Sequence, residues 1–292
     1  MKPKPYTLSW NNRTLVLGER TLVMGILNVT PDSFSDGGKF QTFAAAVAHA
    51  RQMIAAGADL IDVGGESTRP FSDPVPAEVE IERTVPIIEQ LVRETDIPLS
   101  IDTTKAIVAK AALAAGAAII NDISALRGDP DMAALAATAG VPVILMHMQG
   151  TPKTMQQAPT YGNVTEEVMA FLDKAAGEAE KQGVPASKIL VDPGIGFGKT
   201  AAHNLTLIKN LSRFQSLGRP LVIGTSRKAF IRRILSDHFA EEIHPEMPVV
   251  ETGTLATVAA TILGGAHIVR VHDVTGAVVA ARITDAVKNA PD

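Results

Sequence analysis

A closed barrel of eight parallel strands, each followed by a helix, is the fold this sequence predicts, and three observations predict it. Short apolar runs recur eight times along the 292 residues. Each run ends on or beside a polar side chain, often with a glycine. Between the runs lie Ala-rich amphipathic segments long enough for crossover helices. Strand–helix alternation implies parallel strands buried on both faces. Eight such units favour a single (β/α)8 TIM barrel, an α/β fold, over an open doubly wound sheet.

The elements follow in order. Residues 6–20 alternate about Asn11-Asn12, a reasonable hairpin turn, so residues 1–20 are expected to form a short N-terminal β-hairpin capping the barrel floor. Strands are expected at 22–27, 60–63, 99–101, 118–120, 143–146, 189–191, 221–223 and 268–271. Helices are expected over 43–56, 77–95, 105–115, 131–139, 165–182, 202–211, 227–235 with 254–263, and 276–289. Gly57, Gly116, Gly140, Gly183 and Gly264 follow helix ends, as a left-handed C-terminal cap prefers. Residues 236–251 are polar and carry Pro245 and Pro248; they read as a surface insertion in the seventh unit. Nothing marks a boundary, so residues 1–292 are expected to be one domain.

Composition narrows the class. A net charge of −4 argues against a nucleic-acid partner, which wants a basic face. The chain has no cysteine, which excludes disulfides, thiolate metal sites and a Cys nucleophile. The start MKPKPYTLSW has no apolar run behind its basic residues, and no stretch of about 18 apolar residues exists. No membrane span is expected, and a cytoplasmic location fits.

In such a barrel the active site lies at the C-terminal ends of the strands. Those ends supply Asn28, Asp62, Asp102, Asn121-Asp122, His147, Asp192, Thr225-Ser226-Arg227-Lys228, and Arg270 with His272-Asp273. Loops are polar in any protein, which explains about half of such a list as a matter of judgement. Arg270 is different, because it interrupts an apolar strand and is costly there unless paired or solvated. By group type the ends divide. Asp102, Asn121, Asp192 and Lys228 suit the donor–acceptor edge of a pterin or purine. Asn28, Thr68, Arg69, Arg270 and His272 suit a phosphate. Asn28 and Asp32 are hard oxygen ligands able to hold Mg²⁺ loosely, with phosphate and water completing its shell.

Residues 194–200, Gly-Ile-Gly-Phe-Gly-Lys-Thr, end like a P-loop, but Pro193 replaces the first glycine. They read as a flexible loop beside Asp192. His147 reads equally as a packing residue, and the remaining histidines as surface or packing groups. Residues 30–40 and 65–76 are long polar loops at the mouth and read as lids.

Together these residues resemble dihydropteroate synthases. Residues 25–38, Gly-Ile-Leu-Asn-Val-Thr-Pro-Asp-Ser-Phe-Ser-Asp-Gly-Gly, look like the family's first signature, and residues 62–70, Asp-Val-Gly-Gly-Glu-Ser-Thr-Arg-Pro, like its second. Ile101-Asp102-Thr103, Asn121-Asp122, residues 192–197, Ser226-Arg227-Lys228 and residues 270–273 fall in the family's order, spanning about residues 22–285. The resemblance implies a transferase of folate biosynthesis. It would condense 6-hydroxymethyl-7,8-dihydropterin diphosphate with 4-aminobenzoate, giving 7,8-dihydropteroate and diphosphate. It implies that Asp102, Asn121, Asp192 and Lys228 hold the pterin, and that Asn28, Arg69, Arg270 and His272 hold diphosphate and Mg²⁺, with Thr68 contacting the substrate. Thr68, Pro70, Phe197, Lys228 and Phe34 would form the aminobenzoate slot, where sulfonamides bind in this family. Ala229 departs from members with Ser after the Lys. A homodimer is expected, through the apolar helices of the last units. Arg270→Ala should cripple turnover and leave the fold intact. A folate-dependent methyltransferase to a corrinoid protein and a non-catalytic pterin-binding paralogue stand as alternatives.

Overall fold

The computed structural model describes residues 4–11, 13–30, 39–68, 72–239 and 242–291. Strands β1 (Tyr6–Trp10) and β2 (Arg13–Leu17) pair antiparallel, with Trp10 opposite Arg13. The expected hairpin is therefore present.

Eight strands follow: β3 (Leu22–Asn28), β4 (Leu60–Gly64), β5 (Leu99–Asp102), β6 (Ile119–Asp122), β7 (Val143–Met146), β8 (Ile189–Asp192), β9 (Val222–Ile223) and β10 (Ile268–Val271). All pair parallel, in the order β8-β7-β6-β5-β4-β3-β10-β9. A single parallel bridge, Val191 with Leu221, joins β8 to the start of β9 and closes the ring.

The helices are α1 (Lys39–Ala55), α2 (Ala77–Val92), α3 (Ala106–Ala114), α4 (Met132–Ala139), α5 (Val164–Lys181), α6 (Ala201–Lys209), α7 (Ala229–Leu235), α8 (Pro248–Leu263) and α9 (Val274–Lys288). Two expectations need correction. Residues 248–251 are the first turn of α8, not surface insertion: proline is well suited to a helix start, where its missing N–H leaves no bond unmade. At the other end of α8, Gly264 is right-handed (φ −72°), and Gly265 takes the left-handed conformation (φ 99°).

Two apolar layers result from the strand period of two. On β8, Ile189 and Val191 pack outward with the helices, while Leu190 joins an axial cluster. That cluster holds Leu22, Met24, Leu60, Ile119, Ile144, Val222 and Ile268, and the hairpin adds Leu8, Trp10 and Leu17. The hairpin thus plugs the floor. Buried His267 pins it there: its Nδ1 accepts from Leu221 N (3.0 Å), and its Nε2 lies 3.0 Å from Lys4 O. Among the described residues, no helix is long and apolar enough to cross a membrane.

Candidate active site

The same alternation selects the site. Counting two residues up from an axial apolar residue gives Asp62 above Leu60, Asn121 above Ile119, Asp192 above Leu190, and Arg270 above Ile268. Asp102 lies two beyond Ser100, whose hydroxyl bonds Asp62 Oδ1. A layer of polar groups therefore sits on an apolar plug, inside the mouth of the barrel.

Arg270 is the hub of that layer. Its Nε donates to Asp62 Oδ2 (2.6 Å) and an Nη donates to Asp102 Oδ2 (2.7 Å). Asp62 is wholly buried and also accepts from Asn121 Nδ2 at 2.9 Å. The charge that interrupts an apolar strand is thus paired twice, as its cost demands. Sequence reading named Asp62 at a strand end without giving it a role, and did not name Ser100, although the strand period alone would have found it.

Burial sets the protonation of the layer. It raises Asp102 to about 7, helped by the neighbouring Asp62 carboxylate and opposed by Arg270. It raises Asp192 to about 6, opposed by the bond from Gly194 N to Asp192 Oδ1 (2.7 Å). Burial and the Arg270 charge bring Lys228 down to about 8. Lys228 Nζ stands 4.0 Å from the centre of the Phe197 ring, a cation–π contact. Phe197 itself is buried among Ile123, Met146, Met148 and Met155, an apolar wall at the mouth.

The turn after β8 is not a free loop. Lys199, 3% exposed, passes beneath it, with Nζ 2.9 Å from each of His147 Nδ1, Gly194 O and Phe197 O. Gly194 is left-handed (φ 68°), and a Cβ there would lie 1.9 Å from His147 O. His147 is pushed down to about 3 by burial and by Lys199, so it is a neutral acceptor. Burial brings Lys199 to about 7. The P-loop-like spacing is therefore a clamped turn, corrected from the flexible loop expected.

Other predicted residues are placed as follows. Asn28 ends β3, and its Oδ1 and Asp102 Oδ2 flank the bare face of Gly64, 3.7 and 3.8 Å from where a Cβ would be. His272 Nδ1 lies 2.9 Å from Ser226 Oγ. Thr68 lines a cavity of about 340 Å³ together with Glu66, Asp102, Ile123, Arg127 and Met148. Lys105 bridges Glu66 and the buried Glu80, which roots the loop carrying Thr68. Asp122 serves its own turn, accepting from Ser124 N and Leu126 N. Asp32, Phe34, Arg69 and Pro70 lie outside the described residues. A second hollow, about 540 Å³, lies far from this layer, and its Asp59 and Asp285 are already matched by Arg20 and Thr21.

Among the described residues, no three His, Cys, Asp or Glu side chains gather as a metal cage. A cation that arrives with phosphate needs only one or two protein oxygens, and Asn28 Oδ1 fits that lesser demand.

Comparison with known proteins adds an independent finding. Residues 24–272 match the family described as pterin binding enzyme. A dihydropteroate synthase of Synechocystis sp. is 47% identical over 92% of this chain and 91% of its own. The dihydropteroate synthase of Xanthomonas albilineans with 4-aminobenzoic acid superposes with a TM-score of 0.90 at 44% identity, over 99% of this chain and 100% of that one. The Yersinia pestis dihydropteroate synthase with a sulfonamide drug superposes with a TM-score of 0.89 at 42% identity, over 98% and 100%.

Proposed function

The chain belongs to the pterin binding enzyme family, and from that membership we propose that it is a dihydropteroate synthase. In this transferase reaction of folate synthesis, 6-hydroxymethyl-7,8-dihydropterin diphosphate and 4-aminobenzoate give 7,8-dihydropteroate and diphosphate. The observation that carries the reading is the polar layer itself. Asp102, Asn121, Asp192 and Lys228 meet at one end of the barrel, around an arginine already neutralised by two carboxylates.

Asp102 and Asp192 accept from the ring's amino and N–H groups, Asn121 adds an amide, and Lys228 donates to the ring carbonyl. Two of the five N–H donors of Arg270 are spent on Asp62 and Asp102. Its other three, with His272 and Arg69, take the diphosphate. The methylene carbon–oxygen bond breaks with its electron pair leaving on diphosphate, and the amine nitrogen forms the new carbon–nitrogen bond. That nitrogen sheds one proton, to the diphosphate or to water. Asp102 and Asp192 stabilise positive charge on the methylene electrostatically as it develops. No enzyme-bound covalent intermediate is required.

Mg²⁺, when bound, neutralises charge on the leaving diphosphate; Asn28 and Asp32 are the residues that would hold it. Thr68, Phe34, Pro70, Phe197 and Lys228 form the aminobenzoate slot, which sulfonamides would share. Ala229 opens α7, so no side-chain hydroxyl stands there for the carboxylate. The whole chain works as one domain in the cytoplasm. Val279, Ile283 and Val287 form an exposed stripe along α9, with Leu263 exposed on α8, which supports a homodimer through the last helices.

The test is an assay of purified protein with both substrates, with and without Mg²⁺. Equal yields of 7,8-dihydropteroate and diphosphate are expected, and chelation should abolish them. Methyl transfer from a folate to a corrinoid, or ring binding with no turnover, would overturn the reading.

A further inference from the structure

Lys199 stands apart from the groups assigned so far. Its nitrogen is surrounded by partners within the protein: His147 Nδ1, Gly194 O and Phe197 O, each at 2.9 Å, and His147 O at 3.4 Å. It is 3% exposed, so it has neither a free donor nor a free surface to offer a ligand. Burying an ammonium costs several kcal/mol before its bonds are counted, and an apolar side chain would fill the same space more cheaply. Its partners explain the choice. Gly194 N holds Asp192 Oδ1 at 2.7 Å, and Gly194 O takes both Lys199 and Phe197 N, the latter at 3.1 Å. His147 N bonds Asp192 O at 2.9 Å, extending the β7–β8 ladder from the residue whose ring accepts Lys199. Gly196 lies so close to Lys228 that a Cβ would stand 2.8 Å from its Cδ. One buried nitrogen is thus tied, directly or through one residue, to Asp192, Phe197 and Lys228.

We propose that Lys199 is a positioning residue for the ring pocket: it clamps the turn after β8 against the end of β7 and so sets where Asp192, Phe197 and Lys228 stand. This rests on the assignment of those three residues to the ring and its acceptor. Lys199 acts through the turn, and the diphosphate side of the site, built on Arg270 and His272, does not depend on it.

The experiment uses the full chain and two probes, 6-hydroxymethylpterin and inorganic diphosphate, titrated by calorimetry at a temperature where circular dichroism shows the variant folded. In K199M the ring should bind about tenfold more weakly, while diphosphate binding stays within about twofold. In turnover, KM for the pterin diphosphate should rise while kcat changes little. Should K199M fail to fold, H147L removes the imidazole acceptor and leaves the three carbonyls of His147, Gly194 and Phe197. It should weaken ring binding about threefold with the same indifference to diphosphate. Unchanged ring affinity in a folded variant, or equal weakening of both probes, overturns the inference. A wild-type chain that fails to bind the ring overturns the functional reading, and this inference with it.

Discussion

Arg270 on β10 reaches past β3 to Asp62 on β4, Nε to Oδ2 at 2.6 Å, joining residues 208 positions apart in the chain. Asp62 has no exposure to solvent, so the bond is structural as well as chemical. Arg270→Ala should therefore do two things. Activity should fall by more than about a hundredfold, through lost leaving-group stabilisation. Stability should fall by about 3 kcal/mol, because a buried carboxylate loses its counter-charge. Urea unfolding beside the activity assay checks both. This revises the expectation of an intact fold, and an undiminished unfolding midpoint would contradict the revision.

Ring affinity should follow a bell-shaped pH profile. Asp192 and Asp102 are acids raised to about 6 and 7, so the carboxylates that accept from the ring exist only above those values. Lys228 is a base lowered to about 8, so its ammonium exists only below that. Binding of 6-hydroxymethylpterin should be tightest between about pH 7 and 8, and weaken about a hundredfold or more by pH 5 and about tenfold by pH 9. Affinity that stays flat across that range would remove the charged-edge reading.

Gly194→Ala should be among the costliest single substitutions in the chain. The new methyl carbon would sit 1.9 Å from His147 O, against backbone that cannot yield without moving β7. Gly218 has a similar φ of 65° but nothing within 4 Å of an added Cβ. Gly218→Ala should cost about 1 kcal/mol, the left-handed penalty alone, and Gly194→Ala at least about 3 kcal/mol together with ring binding. Comparable thermal shifts for the two variants would show that the close approach to His147 does not matter.

His267 should make the floor acid-sensitive. Burial lowers its pKa below the ordinary histidine value, and its Nδ1 must stay unprotonated to accept from Leu221 N. The folded state therefore holds it neutral while the unfolded chain binds a proton below about pH 6.5. Its stabilisation is complete above that pH and is lost as pH falls, by at most about 1.4 kcal/mol per pH unit. His147, pushed to about 3, has the same sign. In denaturant titrations at pH 7.5 and 5.5, His267→Gln should be less stable at the higher pH and show a shallower acid loss than wild type. An acid loss equal to wild type would locate the sensitivity elsewhere.

Much of this was legible in the chain because the barrel repeats one simple rule. Apolar runs of the right length gave eight strands to within a residue or two, and polar residues at their ends marked the mouth. The oddness of Arg270 in an apolar run was visible, and pairing did resolve it. Its partner was not visible, since Asp62 lies on a strand that β3 separates from β10, and local pattern carries no information across that gap. Lys199 was misread for a related reason. A glycine-rich string reads as loose from composition, while its rigidity here comes from a histidine 52 positions away. The start of α8 was lost because polar residues and two prolines mimic a loop, although proline at a first helical turn is well tolerated.

The plug that Leu8, Trp10 and Leu17 make under the axial residues has a consequence for traffic. With that end sealed, the barrel is a vessel with one door. On the proposed reading, both substrates and the product share that door. Once the bond between the substrates forms, the bulkier product fills the same passage that the next substrate needs. Turnover in such a vessel is a queue: its pace depends on how soon the doorway clears as much as on how fast the bond is made.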